Sequence, residues 1–240
     1  MNIQPINTLD RLIPLLDGLG TWHRYAIWIG DGVLEAYLTA PGASGWHVPR
    51  EAAFLLQLPS IVEQYQWEIL LQDKGWNRMT ETDTGFIRFG LDGHTALVSP
   101  LPGGALATQS RWMEDACFHA IRIPVSTGRK LSLLAPPYLV ATTLDQLPSS
   151  ETDLRYSDAF ARLGWLFAGR EEVVTEVRDS FYEVREYIRA GLARLLTHPD
   201  LMEALLHVFS AQEWFLSETA IERMKLVSAS QNKHFMMMEA

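Results

Sequence analysis

Residues 24–39 read RYAIWIGDGVLEAYLT, and this stretch decides the architecture. RYAIWI is a compact run of β-branched and aromatic residues, Gly30-Asp31-Gly32 is a glycine turn, and residues 33–39 look like the start of a helix. A strand that passes through a glycine turn into a helix predicts an α/β sheet rather than an all-helical or all-β chain.

The neighbouring segments extend that unit in both directions. Residues 8–18 (TLDRLIPLLDG) place Leu9, Leu12, Leu15 and Leu16 on one helical face, with Pro14 as a kink and Gly18 or Gly20 as the stop. On the other side PGASG (41–45) is a loop by composition. Residues 52–58 (AAFLLQL) are a continuous apolar stretch that periodicity alone leaves open between a buried strand and a helical turn. Residues 60–74 (SIVEQYQWEILLQDK) start with a capping serine, carry Glu63 three residues later and end at Gly75, which predicts a helix with both ends marked. Residues 86–89 and 95–99 flank Leu91-Asp92-Gly93-His94, a β-hairpin pattern with Asp-Gly at its turn.

Residues 116–124 and 130–134 surround Ser126-Thr127-Gly128 and predict a second strand pair, on which Cys117 and His119 alternate and share a face. From Tyr138 onward the chain changes character. Residues 171–196 repeat Val173, Val177, Phe181, Val184, Ile188, Leu192 and Leu195 at three-four spacing, which predicts one long amphipathic helix stopped by His198-Pro199. A further helical stretch is expected over 201–216, and QNKHFMMMEA at the end reads as a frayed tail. The expected division is an α/β core over 1–137 with a helical part, 138–240, packed on it.

Composition narrows the function classes. The chain has 240 residues, 48% hydrophobic and 20% charged, which sets aside disordered and fibrous classes. Twenty Lys and Arg against 29 Asp and Glu leave a net charge of −9, which argues against a broad nucleic-acid surface because such surfaces neutralise phosphates with cations. A single cysteine, Cys117, makes no internal disulfide and no multi-thiolate zinc site, which fits a reducing compartment. The first twenty residues lack the basic run and uninterrupted apolar core of a signal peptide. The longest apolar run, 131–144, is broken by Pro136-Pro137 and is too short to span a bilayer. A cytoplasmic protein with no membrane association is expected.

Beginning at Cys117, the succession CFHAIRI, Gly128-Arg129-Lys130, LSLLAPPYLVATTLD, RYSDAFARL and AGREEVVTEVRDSFYEVREYIRAGLARLL resembles the rear half of the AbiEii-like nucleotidyltransferases. In the front half, residues 25–38 look like that family's strand, small-residue turn and helix. Residues 51–56 sit where its acid-x-acid strand would stand, and residues 95–100 where the strand with a third acid would be. The resemblance implies a mixed sheet with flanking helices and a C-terminal helical extension. It also implies Mg²⁺ held by carboxylates, and transfer of a nucleotide from an NTP to RNA or protein, as by the toxin of a toxin–antitoxin pair.

Nucleotidyl transfer needs two or three carboxylates converging on divalent metal, to activate the attacking oxygen and to neutralise the leaving pyrophosphate. Counting from the motifs, one acid remains as Glu51, the second position is Ala53 and the third is Leu97. The paired small residues of the turn read Gly30-Asp31, the family's lysine is Thr143, and the second acid of its later motif is Ala161, leaving Ser157 and Asp158. These losses predict a catalytically inactive relative with no metal site and no cofactor, which binds a protein partner, a second copy of itself or a nucleotide. Backbone amides of Gly30, Asp31 and Gly32 are the candidate ligand contacts. An active enzyme would instead have to recruit Glu51, Asp31 and Asp92, although Asp92 reads as a solvated turn residue. Arg178, Arg185 and Arg189 are interleaved with Glu176, Glu183 and Glu186 and read as a salt-bridged surface. Eight tryptophans are too many for the core alone, so some are expected on a partner-binding surface.

Overall fold

The computed structural model of the chain describes residues 9, 12–40, 51–57, 60–81, 87–91, 94–101, 110–147, 153–209 and 213–229. The opening leucines form helix α1 (Ile13–Leu19), with Leu9, Leu12, Leu15 and Leu16 all buried. Pro14 stands in the first turn, where its missing N–H costs nothing, so it starts the helix instead of kinking it. Gly20 closes it, and a 3₁₀ turn (Gly20–Tyr25) leads into strand β1 (Ala26–Ile29).

Strand β1 is buried throughout and ends at Gly30, whose φ of 72° lies in the left-handed region that glycine adopts without strain. Helix α2 (Asp31–Tyr37) therefore begins two residues earlier than the composition suggests, with Asp31 in its first turn. The apolar segment after it is a strand, β2 (Glu51–Gln57), paired antiparallel with β1. Helix α3 (Ile61–Asp73) has the expected cap, Ser60 Oγ accepting from Glu63 N at 3.3 Å, worth about 1 kcal/mol. Gly75, at φ 86°, turns the chain into the edge strand β3 (Asn77–Glu81). The hairpin is β4 (Ile87–Leu91) with β5 (His94–Leu101), in register with Leu91 opposite His94. Asp92 and Gly93 lie outside the described residues.

The second strand pair is shorter than predicted, β6 (Ile121–Pro124) with β7 (Lys130–Leu133). Residues before it form helix α4 (Met113–Phe118), so Cys117 is helical and His119 caps that helix. The expected alternation of the two on a strand is overturned. Met113, Ala116 and Cys117 are buried at three-four spacing, a helical pattern too short to be separable from a strand by sequence. The described strands make one mixed seven-stranded sheet in the order β3-β4-β5-β2-β1-β7-β6, with β2·β5 and β1·β7 parallel and the other pairs antiparallel.

The rear of the chain is helical: α5 (Pro136–Asp145), α6 (Asp158–Gly169), α7 (Val173–Arg178), α8 (Tyr182–Leu195), α9 (Leu201–Val208) and α10 (Trp214–Ser228). The predicted long helix over 171–196 is two, α7 and α8. Ser180 Oγ donates to Val177 O, and Phe181 takes an extended conformation before α8 starts, which breaks the axis and leaves Phe181 exposed, against its expected place in the stripe; the buried positions resume at Val184. The stretch from 201 likewise divides into α9 and α10, and the terminal residues QNKHFMMMEA lie outside the described residues. One contiguous buried cluster runs from Leu9 through the sheet to Val227. Among the described residues no helix is long and apolar enough to cross a membrane.

Candidate functional site

The sheet register brings the counted positions together. Ala53 on β2 lies opposite Ile29 on β1 and Leu97 on β5, and Leu97 lies opposite Arg88 on β4. Directly opposed residues share a face, so Ile29, Ala53, Leu97 and Arg88 form one row across four strands. Gly30 follows Ile29 at the end of that row, and a Cβ placed on it would lie 3.8 Å from Ala53 Cβ. Glu51, two residues back along β2, pairs with Thr95 on β5. The other face of these strands carries Phe54, Phe89, Ala96 and Val98, all buried. Trp67 of α3 packs there, its ring 5.3 Å from that of Phe89. Along the row face Ala53, Leu97, Thr95 and Arg88 are only half-buried.

This geometry has a direct chemical meaning. Opposed residues on neighbouring strands have Cβ atoms about 5 Å apart, and Mg²⁺ takes oxygens at about 2 Å. Two acids at 53 and 97 would therefore reach one cation. Ala53 and Leu97 offer it no oxygen. Among the described residues no group of three or more His, Cys, Asp or Glu side chains is placed to hold a metal ion.

Asp31, a candidate carboxylate, is already engaged. Arg162 of α6 donates from Nε to Asp31 Oδ1 at 2.6 Å and from Nη1 to Gln146 Oε1 at 3.0 Å. The pair lies at the start of α2, so the turn that would approach a triphosphate is tied to the rear helices by a charge-assisted bond. Asp92, the third candidate, lies outside the described residues.

The remaining motif positions have structural tasks. Thr143 is buried in α5, and Ser157 caps α6 by accepting from Phe160 N at 3.1 Å. Arg170, which stands in the AGREEVV stretch without a role assigned to it there, is the most deeply buried charged side chain among the described residues. It is fully buried, donates from Nε and Nη2 to both Glu176 oxygens at 2.5 Å, donates to Tyr37 O at 3.2 Å and lies over the Tyr37 ring. Tyr37 in turn donates to Leu134 O at 2.6 Å, and burial holds its hydroxyl far above the ordinary phenol range. Arg223 of α10 donates to the carbonyls of Phe167, Ala168 and Arg170. The AGREEVVTEVR stretch holds both members of this ion pair, Arg170 and Glu176, but does not show that they meet or that Tyr37 joins them.

The other sequence candidates separate in the same way. Burial pushes the Cys117 thiol up to about 11, the opposite of an activated nucleophile. His119 stacks on Tyr138, with centroids 5.3 Å apart and planes 6° apart. Of the three arginines expected to form surface ion pairs, Arg189 does so with Glu186 at 2.8 Å. Arg178 donates to Leu226 O and Arg185 donates to Arg178 O, and Glu176 is held by Arg170. Trp28, Trp67, Trp76 and Trp165 are buried, Trp22 and Trp112 half-buried, and Trp214 is 53% exposed; Trp46 lies outside the described residues. No protein-family model matches the chain and no curated protein matches it in sequence, so what can be said of its activity rests on the row at Ile29, Ala53 and Leu97.

Proposed function

We propose that this chain is a nucleotidyltransferase-like scaffold that works by binding a protein partner and not by metal-dependent nucleotidyl transfer. The observation that carries the reading is the register: the positions counted as metal-binding, 53 and 97, are direct cross-strand neighbours beside the Gly30 turn, and they are Ala and Leu. The engagement of Asp31 by Arg162 supports the same reading, since a carboxylate neutralised by a guanidinium is a poor cation ligand. A protein fits better than a nucleotide. At the turn the guanidinium that could draw a phosphate is already held by Asp31, whereas exposed aromatic side chains such as Tyr156, Phe118 and Trp214 supply the contact area that protein interfaces use.

The test has two arms. Purified chain is incubated with each labelled NTP and Mg²⁺ or Mn²⁺, and the expected result is no pyrophosphate release. Turnover that disappears in Glu51→Ala, Asp31→Asn or Asp92→Asn overturns the proposal. In the second arm the double variant Ala53→Asp/Leu97→Asp is titrated with Mn²⁺. Positions 53 and 97 are half-buried and directly opposed, so the variant is expected to bind Mn²⁺ at least tenfold tighter than the parent chain. An unchanged affinity would show that the row is not a degenerate metal site.

A further inference from the structure

Arg111 is held by aromatic faces alone. It stands exposed in the turn before α4, its guanidinium carbon 5.0 Å from the centre of the Trp112 ring and 4.3 Å from that of Tyr187 on α8. The two rings are 5.2 Å apart and tilted by 48°, so the guanidinium rests on an aromatic wedge. Beside it Ser110 Oγ donates to Asp145 Oδ2 at 2.7 Å and Tyr187 Oη donates to Asp145 Oδ1. Both carboxylate oxygens are thus taken by hydroxyls. Among the described residues Arg111 makes no hydrogen bond and no ion pair, so the N–H donors of its fork are unspent. Arg194 lies seven residues beyond Tyr187 on the same stripe of α8, and helical side chains lean toward the amino terminus, which carries it toward the Tyr187 hydroxyl. Burial and the bond to Asp145 push that hydroxyl up to about 12, and Arg111 and Arg194 both oppose the shift, so the two cations act on one oxygen.

We infer that Arg111 and Arg194 form a binding site for a phosphate monoester, with Arg111 gripping the phosphate oxygens and the Trp112–Tyr187 wedge supporting it. The donors select an oxyanion, because a guanidinium is a planar fork that matches phosphate and carboxylate oxygens. The charge selects phosphate. Two cations stand around one carboxylate that hydroxyls already satisfy, and a phosphate monoester brings nearly two negative charges at neutral pH where a carboxylate brings one. The wedge supplies preorganisation, since a side chain already laid on two rings loses less rotamer freedom when it binds. Arg162 at the Gly30 turn is the opposite case, its guanidinium spent on Asp31. The site uses neither that turn nor the row at 29, 53 and 97, so it stands or falls apart from the reading of the row.

The test is calorimetric titration of the full chain with glycerol 2-phosphate, inorganic phosphate and acetate at about pH 7.5 and low ionic strength, where the monoester is a dianion and screening is weakest. The monoester is expected to bind with a dissociation constant of about 1 mM or tighter, and acetate about tenfold more weakly. Arg111→Ala should weaken the monoester about tenfold, and Arg111→Lys, which keeps the charge and loses the fork, about fivefold. Arg194→Ala should weaken it about threefold. Asp145→Asn removes the opposing charge and should tighten it about threefold, a direction that a merely structural role of Asp145 would not produce. Circular dichroism is expected to be unchanged in each variant. Absence of monoester binding at about 10 mM, an affinity indifferent to both Arg111 variants, or acetate bound as tightly as the monoester each overturns the inference. Inorganic phosphate bound about tenfold tighter than the monoester overturns the assignment to an ester and gives the site to free phosphate.

Discussion

The turn at Gly30 and the latch at Arg170 both join the sheet to the rear helices, and they use charge in opposite ways. At the turn the row face of the sheet is half-open, and its in-register positions at 29, 53 and 97 are apolar; one half-exposed pair, Arg162 with Asp31, ties α2 to α6. At the latch a guanidinium with no exposed surface is satisfied by a bidentate carboxylate, a carbonyl and an aromatic face. Thr39 and Ala40 complete it, with Thr39 Oγ1 donating to Glu172 Oε2 and Ala40 N donating to Gly169 O. The difference teaches where this fold keeps its costly electrostatics. Buried charge needs full compensation, and among the described residues the most completely compensated charge lies at the junction of α2, α6 and α7, not beside the strands.

The largest effect should come from breaking the latch. Arg170→Ala leaves the Glu176 carboxylate and the Tyr37 carbonyl without their shared donor, and removal of one member of a buried pair costs about 3–5 kcal/mol. Urea denaturation measures it. The double variant Arg170→Met/Glu176→Leu should be more stable than Arg170→Ala, since the uncompensated carboxylate is removed with the arginine. A loss below 1 kcal/mol for Arg170→Ala would erase the contrast between the two joints.

At the turn the loss should be smaller. Arg162 and Asp31 keep 14% and 27% of their side-chain surface, so solvent screens both the pair and its loss. Arg162→Ala is expected to cost about 1 kcal/mol in the same assay. Equal losses at Arg162 and Arg170 would mean that the two joints are electrostatically equivalent, against the burial difference.

The smallest effect at neutral pH concerns Cys117, whose contribution shows only in alkaline solution. Its thiol is raised from 9.0 to about 11 by burial, with Glu114 adding to the shift. The folded state therefore holds the thiol proton more tightly than the unfolded state. That contribution to stability is complete below about pH 9 and is lost as pH rises through about 11. Stability is expected to decline over that window in the parent chain and less so in Cys117→Ser. Labelling of the native thiol at pH 8 should be far slower than in urea.

Much of the front of the molecule was legible without coordinates because its signals are local. Gly30 needs a positive φ, Ser60 caps α3 within three residues, and the alternation around the hairpin fixes β4 against β5. The helical rear was legible in outline only. Val177, Val184 and Ile188 keep a helical spacing across the break at Ser180, because the buried face continues although the axis does not. Cys117 and His119 read as strand residues because six residues contain too few turns for periodicity to decide. Counting from motifs found positions 53 and 97, and the AGREEVVTEVR stretch contained Arg170 and Glu176 without showing that Arg170 also reaches Tyr37, 133 residues away.

By itself the sequence determined the α/β character, the order of most elements and the chemical poverty of the strand ends: alanine and leucine cannot ligate metal in any fold. Only the tertiary structure decided that Ile29, Ala53 and Leu97 form one row, that Asp31 is held by Arg162 and that Arg170 is the buried joint between front and rear. The physical reason is range. Propensity, caps and turn chemistry act over a few residues, whereas strand register and the contacts of Arg162 with Asp31 and of Arg170 with Tyr37 are settled when segments distant in the chain exclude water together.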